Sequence, residues 1–347
     1  MQHHKRKALA LISGGLDSML AAQVVREQGI HVEGINFFTG FCVEGHTHAI
    51  RKRDARKPKR NNALWVAERL GIKLHIIDIV EPYKDIVANP KHGYGANLNP
   101  CLDCKIFMIG KAAEWIAEHG FDFIVTGEVV GQRPKSQRKE TMPLVARASG
   151  ARDRLLRPLS ARNLPATLAE REGWIDREAL YGFSGRSRKP QMQLAARYGF
   201  SDYAQPAGGC CFLTDASYAT KLQDLWDHRG SKRYELDDIM LLKVGRHLRP
   251  RPHFKMIVAR EEGEVRFLEG YRKQFTHLRT VSHSGPLTLI EGETDDDDLA
   301  LAAAIAARFS QGRDADTVEV SVHSGERTTS LHVRPLGAEQ VQLAWYV

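Results

Sequence analysis

The residues best suited to chemistry fall in two groups that lie far apart in the chain. The first is Ser13-Gly14-Gly15-Leu16-Asp17-Ser18, a glycine pair flanked by hydroxyls and a carboxylate. A glycine turn between a strand and a helix presents free backbone N–H groups and the positive end of the helix dipole, which suits a phosphate. The Gly-Lys-Ser/Thr ending of the kinase-type P-loop is absent, and so is Gly-x-Gly-x-x-Gly, which excludes those two nucleotide motifs. The second group is the five cysteines, Cys42, Cys101, Cys104, Cys210 and Cys211. They follow no secreted disulfide pattern, and a C-x-x-C with a later pair suits metal or redox work in a reducing compartment.

Cys101 and Cys104 stand three apart at a helix start, so both thiols share a face and can reach one metal. Three or four thiolates from two distant segments can hold a 4Fe–4S cluster or Zn²⁺. Adjacent residues seldom ligate one centre comfortably, so Cys101 and Cys104 with one of Cys210 and Cys211 form a three-ligand set. Such a set leaves one iron open to a hydrosulfide, whereas four ligands make a closed structural zinc site. In a redox alternative Cys104 and Cys211 act directly, one as persulfide carrier and the other as its disulfide partner. Buried thiols without any ligand are the remaining reading.

The elements that must position these groups alternate in βα rhythm. Ala8–Ile12 reads as a buried parallel strand, and Asp17-Ser18 opens a helix that runs to about Gln28 with Gly29 as its stop. Strands follow at His31–Asn36, Lys73–Ile79, Phe123–Thr126 and Leu155–Leu159. Helices follow at Asn61–Leu70, about Leu102–His119, from about Pro165, and at Pro190–Tyr198. Phe37, at the carboxyl end of the second strand, stands where a ligand such as adenine would sit in an open α/β sheet, and core packing explains it equally well. After about Ala216 the rhythm is lost. Leu241–Val244, Phe254–Ala259, Leu287–Glu291, Val318–Val322 and Ser330–Val333 read as strands, and Asp295–Ser310 as a helix. The four leading aspartates of that helix read as its cap rather than a metal site. The expected fold class is therefore α/β with a parallel sheet over residues 1–215, followed by a smaller α+β domain over 216–347.

The chain has 347 residues, net charge +8 and a pI near 9.2, which point to an acidic partner such as nucleic acid. Arg51–Arg60 carries seven basic residues against one acid, and Gly131–Lys139 is a second basic loop. Both are expected to contact RNA phosphates. Lys135 or Arg138 of the second loop is placed to supply positive charge to a nucleotide's phosphates. Arg246, Arg249, Arg251, Lys255 and Arg260 read as a basic edge of the second domain. No apolar run is long enough to span a membrane, and no signal segment stands at the start, so a cytoplasmic location is expected.

Ser-Gly-Gly-Leu-Asp-Ser after a hydrophobic strand resembles the PP-loop of the ATP pyrophosphatases, which clamp ATP pyrophosphate and transfer AMP to a substrate oxygen. With Asn99-Pro100-Cys101-x-x-Cys104 and the late Cys211-Phe212, the chain is similar to the tRNA thiouridine synthetases. Thr126-Gly127-Glu128, Gly131-Gln132 and Leu156-Arg157-Pro158-Leu159 look most like the 4-thiouridine branch, because the 2-thiouridine branch usually has His where Glu128 stands. Leu241–Gly292 resembles the RNA-binding domain of the NFACT family. The resemblance implies ATP and Mg²⁺ as cofactors, with Ser13, Gly14, Gly15, Asp17, Ser18, Phe37, Thr126 and Gly127 around the nucleotide. It implies Asp17, Cys104, Cys211 and Lys135 as catalytic. For enzymes with a 4Fe–4S centre it implies Cys101, Cys104 and Cys211 as ligands, with Cys210 as the alternative and Zn²⁺ as the alternative metal. The implied partners are tRNA and a sulfur donor, either inorganic sulfide or a persulfide carrier, and a homodimer is compatible with the sequence. The rival expectations are an RNA-binding protein with an inactive PP-loop and structural zinc, and a PP-loop enzyme acting on a small molecule.

Overall fold

A computed structural model describes residues 5–43, 61–203 and 210–347. Contacts divide these residues into two units, 5–39 with 61–203 and Cys210 in the first, and 40–43 with 211–347 in the second. The basic run Arg51–Arg60 lies outside the described residues.

The first unit is built on a parallel sheet. Its strands are β1 (Lys7–Leu11), β2 (His31–Phe38), β3 (Leu74–Asp78), β4 (Phe123–Val125) and β5 (Leu155–Leu156), in the order β3-β2-β1-β4-β5. Every neighbouring pair is parallel. The helices are α1 (Leu16–Glu27), α2 (Asn62–Leu70), α3 (Val80–Ala88), α4 (Cys101–His119), α5 (Thr141–Ala148), α6 (Leu168–Arg171) and α7 (Lys189–Arg197). Side chains alternate across a strand, and the central strand uses both faces. Ala8, Ala10 and Ile12 join the apolar layer of α1, α2 and α7, while Leu9 joins that of α4 and α5.

Chain order steps from β1 outward to β2 and β3, then returns to place β4 on the other side of β1. The crevice over the carboxyl ends of β1 and β4 is thus the switch point where open α/β sheets bind ligands. The Ser13–Ser18 turn follows β1, and Thr126-Gly127-Glu128 follows β4. Helix α4 precedes β4 and must run antiparallel to it, so its N-terminus, with Cys101 and Cys104, faces the same edge of the sheet.

The second unit holds an antiparallel sheet in the order β11-β10-β8-β9-β7-β6. Its elements are α8 (Ala216–Arg229), α9 (Leu236–Leu241), β6 (Arg246–Arg251), β7 (Phe254–Val258), α10 (Glu262–Glu269), β8 (Thr276–Thr280), β9 (Thr288–Gly292), α11 (Asp296–Arg308), β10 (Val318–Ser324) and β11 (Arg327–Val333). Asp295 caps α11 by accepting from the Asp298 N–H at 2.8 Å, so the aspartate run is a helix cap as expected. Leu241–Val244 departs from the expected strand. It ends α9 and turns, with the Val244 N–H donating to the Leu241 carbonyl. An apolar run of four residues carries no periodicity that separates strand from helix end. Strand β6 was hidden by its arginines and Pro250, residues tolerated there because it lies at the sheet edge.

Candidate active site

The turn after β1 is closed by its own hydroxyls. The Ser13 N–H and Oγ both point to Ser18 Oγ at 3.3 Å, and the Ser18 hydroxyl donates to the Gly15 carbonyl at 2.8 Å. Gly14 has φ +77°, and a Cβ there would stand 2.7 Å from the Asn62 Cβ and 2.9 Å from the Ala63 nitrogen. The N-terminus of α2 therefore presses against the turn, and only glycine fits the gap. Gly15 is the N-cap of α1 and has no side chain, so its cap leaves backbone N–H groups free for an anion.

Asp17 is fixed from outside the turn. Its Oδ2 accepts from Gln132 Nε2 at 2.7 Å and lies 3.6 Å from the Arg188 guanidinium. Gln132 in turn accepts from Gln191 Nε2 at 2.8 Å. The other carboxylate oxygen, Asp17 Oδ1, is buried with no hydrogen-bond partner among the described residues. An orphaned buried carboxylate oxygen beside a phosphate-type turn fits a divalent cation, the expected Mg²⁺.

The loop after β4 lies directly on this turn. A Cβ on Gly127 would fall 2.4 Å from the Asp17 carbonyl carbon and 2.5 Å from the Ser18 nitrogen. Thr126 is buried and donates through Oγ1 to Glu128 Oε2 at 2.9 Å, and Arg157 Nε donates to the same oxygen at 3.1 Å. Burial alone would raise the Glu128 carboxyl. The Arg157 guanidinium, helped by Lys105 and the Thr126 hydroxyl, outweighs it and holds the group below the usual carboxylate range. Glu128 is therefore ionised and braces the loop from below.

Lys105 also connects this brace to the thiols, since the same ammonium acts on Cys104. Cys104 is the fourth residue of α4, its N–H donating to the Pro100 carbonyl at 2.8 Å. Burial, and after it the nearby Cys210, pushes the Cys104 thiol up to about 12. Asn99 Nδ2 donates to Cys101 Sγ at 3.0 Å, and Asp103 turns away to hold His92 at 2.8 Å. Within the first unit it is thus Cys210 that acts on Cys104. Cys211 belongs to the second unit, where it pairs across a β-bridge with Cys42. Its backbone is extended, and successive side chains of an extended chain leave on opposite sides, so two adjacent cysteines serve two different neighbourhoods.

Among the described residues no group of three or more His, Cys, Asp or Glu side chains is placed to hold a metal ion. Of the expected ligands, Cys101 and Cys210 both lie close enough to act on the Cys104 thiol, and Cys211 stands in the second unit.

Two other expected residues have contacts of their own. Phe37 is 7% exposed and packs in the apolar layer with Leu9, Ile35 and Ile109. Lys135 is exposed and donates to the Tyr94 carbonyl, and Arg138 donates to the Pro134 carbonyl. The cation beside Asp17 is Arg188, which the sequence reading missed. Its only sequence signal was the basic cluster Arg186-Ser-Arg-Lys189 directly before a helix. In the second unit most residues of the expected basic edge also hold carboxylates of their own unit. Arg249 grips Asp224 through two bonds at 2.7 and 2.8 Å, Arg251 pairs with Asp298, Lys255 with Glu291, and Arg260 with Glu264.

Residues 6–156 match the family model described as the tRNA methyl transferase HUP domain, and residues 245–346 match the NFACT protein RNA-binding domain. The second match extends well beyond the expected Leu241–Gly292. A tRNA-specific 2-thiouridylase MnmA of Syntrophus aciditrophicus is 26% identical over 225 residues, covering 63% of this chain and 56% of that protein. The corresponding enzyme of Sulfurimonas denitrificans is 33% identical over 129 residues, covering 36% of this chain and 35% of that protein. The chain thus spans between about a third and somewhat over half the length of these curated relatives. A solved 4-thiouridine synthetase–RNA complex with bound ATP is similar at 20% identity and TM-score 0.34, over 57% of this chain and 54% of that one. No helix among the described residues is long and apolar enough to cross a membrane. Residues 6–156 are thus similar to a HUP domain of the tRNA methyl transferase type, and residues 245–346 to the NFACT RNA-binding domain.

Proposed function

We propose that the protein is an ATP-dependent tRNA thiolation enzyme, which adenylates a uridine carbonyl oxygen and replaces it with sulfur. The observation that carries this reading is the Ser13–Ser18 turn at the β1/β4 switch point, with Asp17 Oδ1 buried and unpartnered beside it. Uridine does not lose its carbonyl oxygen to a sulfur nucleophile unaided, because oxide is a very poor leaving group, whereas AMP leaves readily. The backbone of Gly14 and Gly15 and the hydroxyls of Ser13 and Ser18 hold the pyrophosphate. Asp17 holds Mg²⁺, which supplies positive charge to the phosphates when bound. Thr126 and Gly127 form the opposite wall, kept in place by Glu128 and Arg157. Arg188 adds positive charge beside Asp17, a role proposed from sequence for Lys135.

Cys104 and Cys211 are the thiols proposed to handle sulfur that arrives from a persulfide carrier, whereas inorganic sulfide would attack the adenylated carbon directly and expel AMP. Cys101 and Cys104 with one of Cys210 and Cys211 would hold a 4Fe–4S cluster or Zn²⁺. The HUP and NFACT-type matches and the names of the relatives support tRNA as the substrate, held largely by shape and phosphate contacts. Thr126-Gly127-Glu128 favours sulfur at C4 of the ring, while the relatives are named for C2.

The test supplies the purified chain with unmodified tRNA, ATP, Mg²⁺ and sulfide, and analyses the nucleosides. Thiouridine that depends on ATP and disappears in Asp17→Ala supports the reading, and its chromatographic identity fixes the ring position. ATP consumption that is indifferent to tRNA overturns it in favour of a small-molecule substrate.

A further inference from the structure

Positive charge gathers in the first unit at the edge of the parallel sheet opposite the nucleotide turn. Strands β1, β2 and β3 begin at that edge, and helices α1 and α2, which run back against their strands, end there. Gly29 and Gly71, with φ +80° and +59°, turn the chain from each helix into the next strand. A cleft of about 240 Å³ opens between these turns. Four basic side chains line it: Lys5 ahead of β1, Arg26 in the last turn of α1, His31 at the start of β2 and Lys73 ahead of β3. No carboxylate lines the cleft, and no Asn, Gln, Phe, Tyr or Trp side chain does.

The charge in the cleft is not cancelled by its surroundings. The two helix ends contribute about half a negative charge each, against three permanent positive charges on Lys5, Arg26 and Lys73. Among the described residues those three form no ion pair; Arg26 donates to Gln23 Oε1 at 3.2 Å. Glu33, whose carboxylate feels Lys73, is held by His31 Nε2 at 3.0 Å and His75 Nε2 at 2.6 Å. Lys5, His31 and Lys73 are exposed and Arg26 is half-buried, so the cleft is open to a ligand from solvent. A concave group of uncompensated cations suits a phosphate. With no side-chain amide or large aromatic ring to read a base, the contact carries no sequence information.

We propose that this cleft seats a backbone phosphate of bound RNA, as a subsite separate from the ATP turn. That the RNA is the tRNA substrate rests on the thiolation reading above; the subsite itself rests on the cleft and its charge. The length of β1 from Lys7 to Leu11 separates it from the turn, roughly 13 Å at about 3.3 Å per residue, so the two sites hold different phosphates. Lys5, Arg26 and Lys73 neutralise the RNA phosphate and release its counterions, which adds affinity and fixes register without choosing a sequence.

Fluorescence titration of the full-length protein with unmodified tRNA over a range of salt concentrations, without ATP or sulfide, tests the subsite. Wild type is compared with Lys5→Gln/Lys73→Gln and with Lys5→Arg/Lys73→Arg. The Gln pair is expected to reduce the slope of log affinity against log salt by at least about one, the value for one phosphate contact. At about 0.1 M salt this is a loss of roughly eightfold or more, equal for tRNA and for an unrelated hairpin RNA. The Arg pair, which keeps the charges, is expected to retain the wild-type slope. An unchanged slope in the Gln pair, an equal loss in the Arg pair, or a loss confined to one RNA sequence overturns the subsite. Nucleoside analysis of a parallel thiolation reaction separates the two readings. A reduced slope in the Gln pair with no thiouridine from wild type overturns thiolation and leaves the subsite standing. Thiouridine from wild type with an unchanged slope in the Gln pair does the reverse.

Discussion

The two units differ in how their buried carboxylate oxygens are partnered. In the first, buried carboxylate and amide oxygens of Asp17, Glu128, Gln137 and Gln191 have no hydrogen-bond partner among the described residues. In the second, the buried atoms without a hydrogen-bond partner among the described residues include Trp226 Nε1, His247 Nδ1, Arg279 Nε and Thr288 Oγ1 but no carboxylate oxygen, and carboxylates there are paired, as in Arg249 with Asp224 or Lys255 with Glu291. Polar atoms left unpartnered cost stability and are retained where a ligand completes them. Paired charges are structural scaffold. On the reading proposed above, the unpartnered carboxylate oxygen of Asp17 belongs to the nucleotide site of the first unit.

The strongest way to break this contrast is Asp17→Ala. Thiolation is expected to fall at least about 100-fold, the scale of losing one group that stabilises transition-state charge, with an unchanged thermal melt. Thiouridine formation and circular dichroism measured on the same sample check both halves. Next in size is the Glu128–Arg157 brace. Arg157→Met leaves a buried carboxylate alone and is expected to cost about 3–5 kcal/mol in urea unfolding, while the double variant with Glu128→Gln recovers much of it.

The same brace predicts an acid dependence. Because Glu128 is held below the carboxylate range, the unfolded chain takes up its proton first as pH falls. Its contribution is complete above the unfolded value, about 4.3, and is lost as pH drops through the lower folded value. Glu128→Gln is expected to flatten that part of the stability–pH curve, and an unchanged curve would remove the ion pair from the account. Gly14→Ala is expected to cost about 1–2 kcal/mol or more, from its positive φ and the pressing Asn62, and to weaken ATP binding. The smallest effect sharpens the other side of the contrast. Arg249→Ala is expected to lower stability by about 1 kcal/mol and change RNA affinity by less than about twofold in a binding titration.

Much of the fold was legible because its signals are local. The run Ala8–Ile12 with two glycines after it specifies a buried strand and a phosphate-type turn, and Asp295 marks its helix start by capping. The partners of that turn were not legible. Gln132 reaches Asp17 across 115 positions, and Gln191 reaches Gln132 across 59, so no pattern of spacing joins them. Arg188 was visible only as one cation among several. Cys42 looked incidental, since its pairing with Cys211 exists only once two short strands meet. The pairing of the basic edge was not legible for the converse reason: the sequence displays the arginines, while their partners Asp224, Glu264 and Asp298 sit on helices.

The central claim is that this turn cleaves ATP between its α and β phosphates to activate a tRNA base. Product analysis with labelled ATP, unmodified tRNA and sulfide tests it most directly. The account predicts one AMP and one pyrophosphate released for each thiouridine formed, and neither without tRNA. ADP and inorganic phosphate, or AMP released equally in the absence of tRNA, would contradict it.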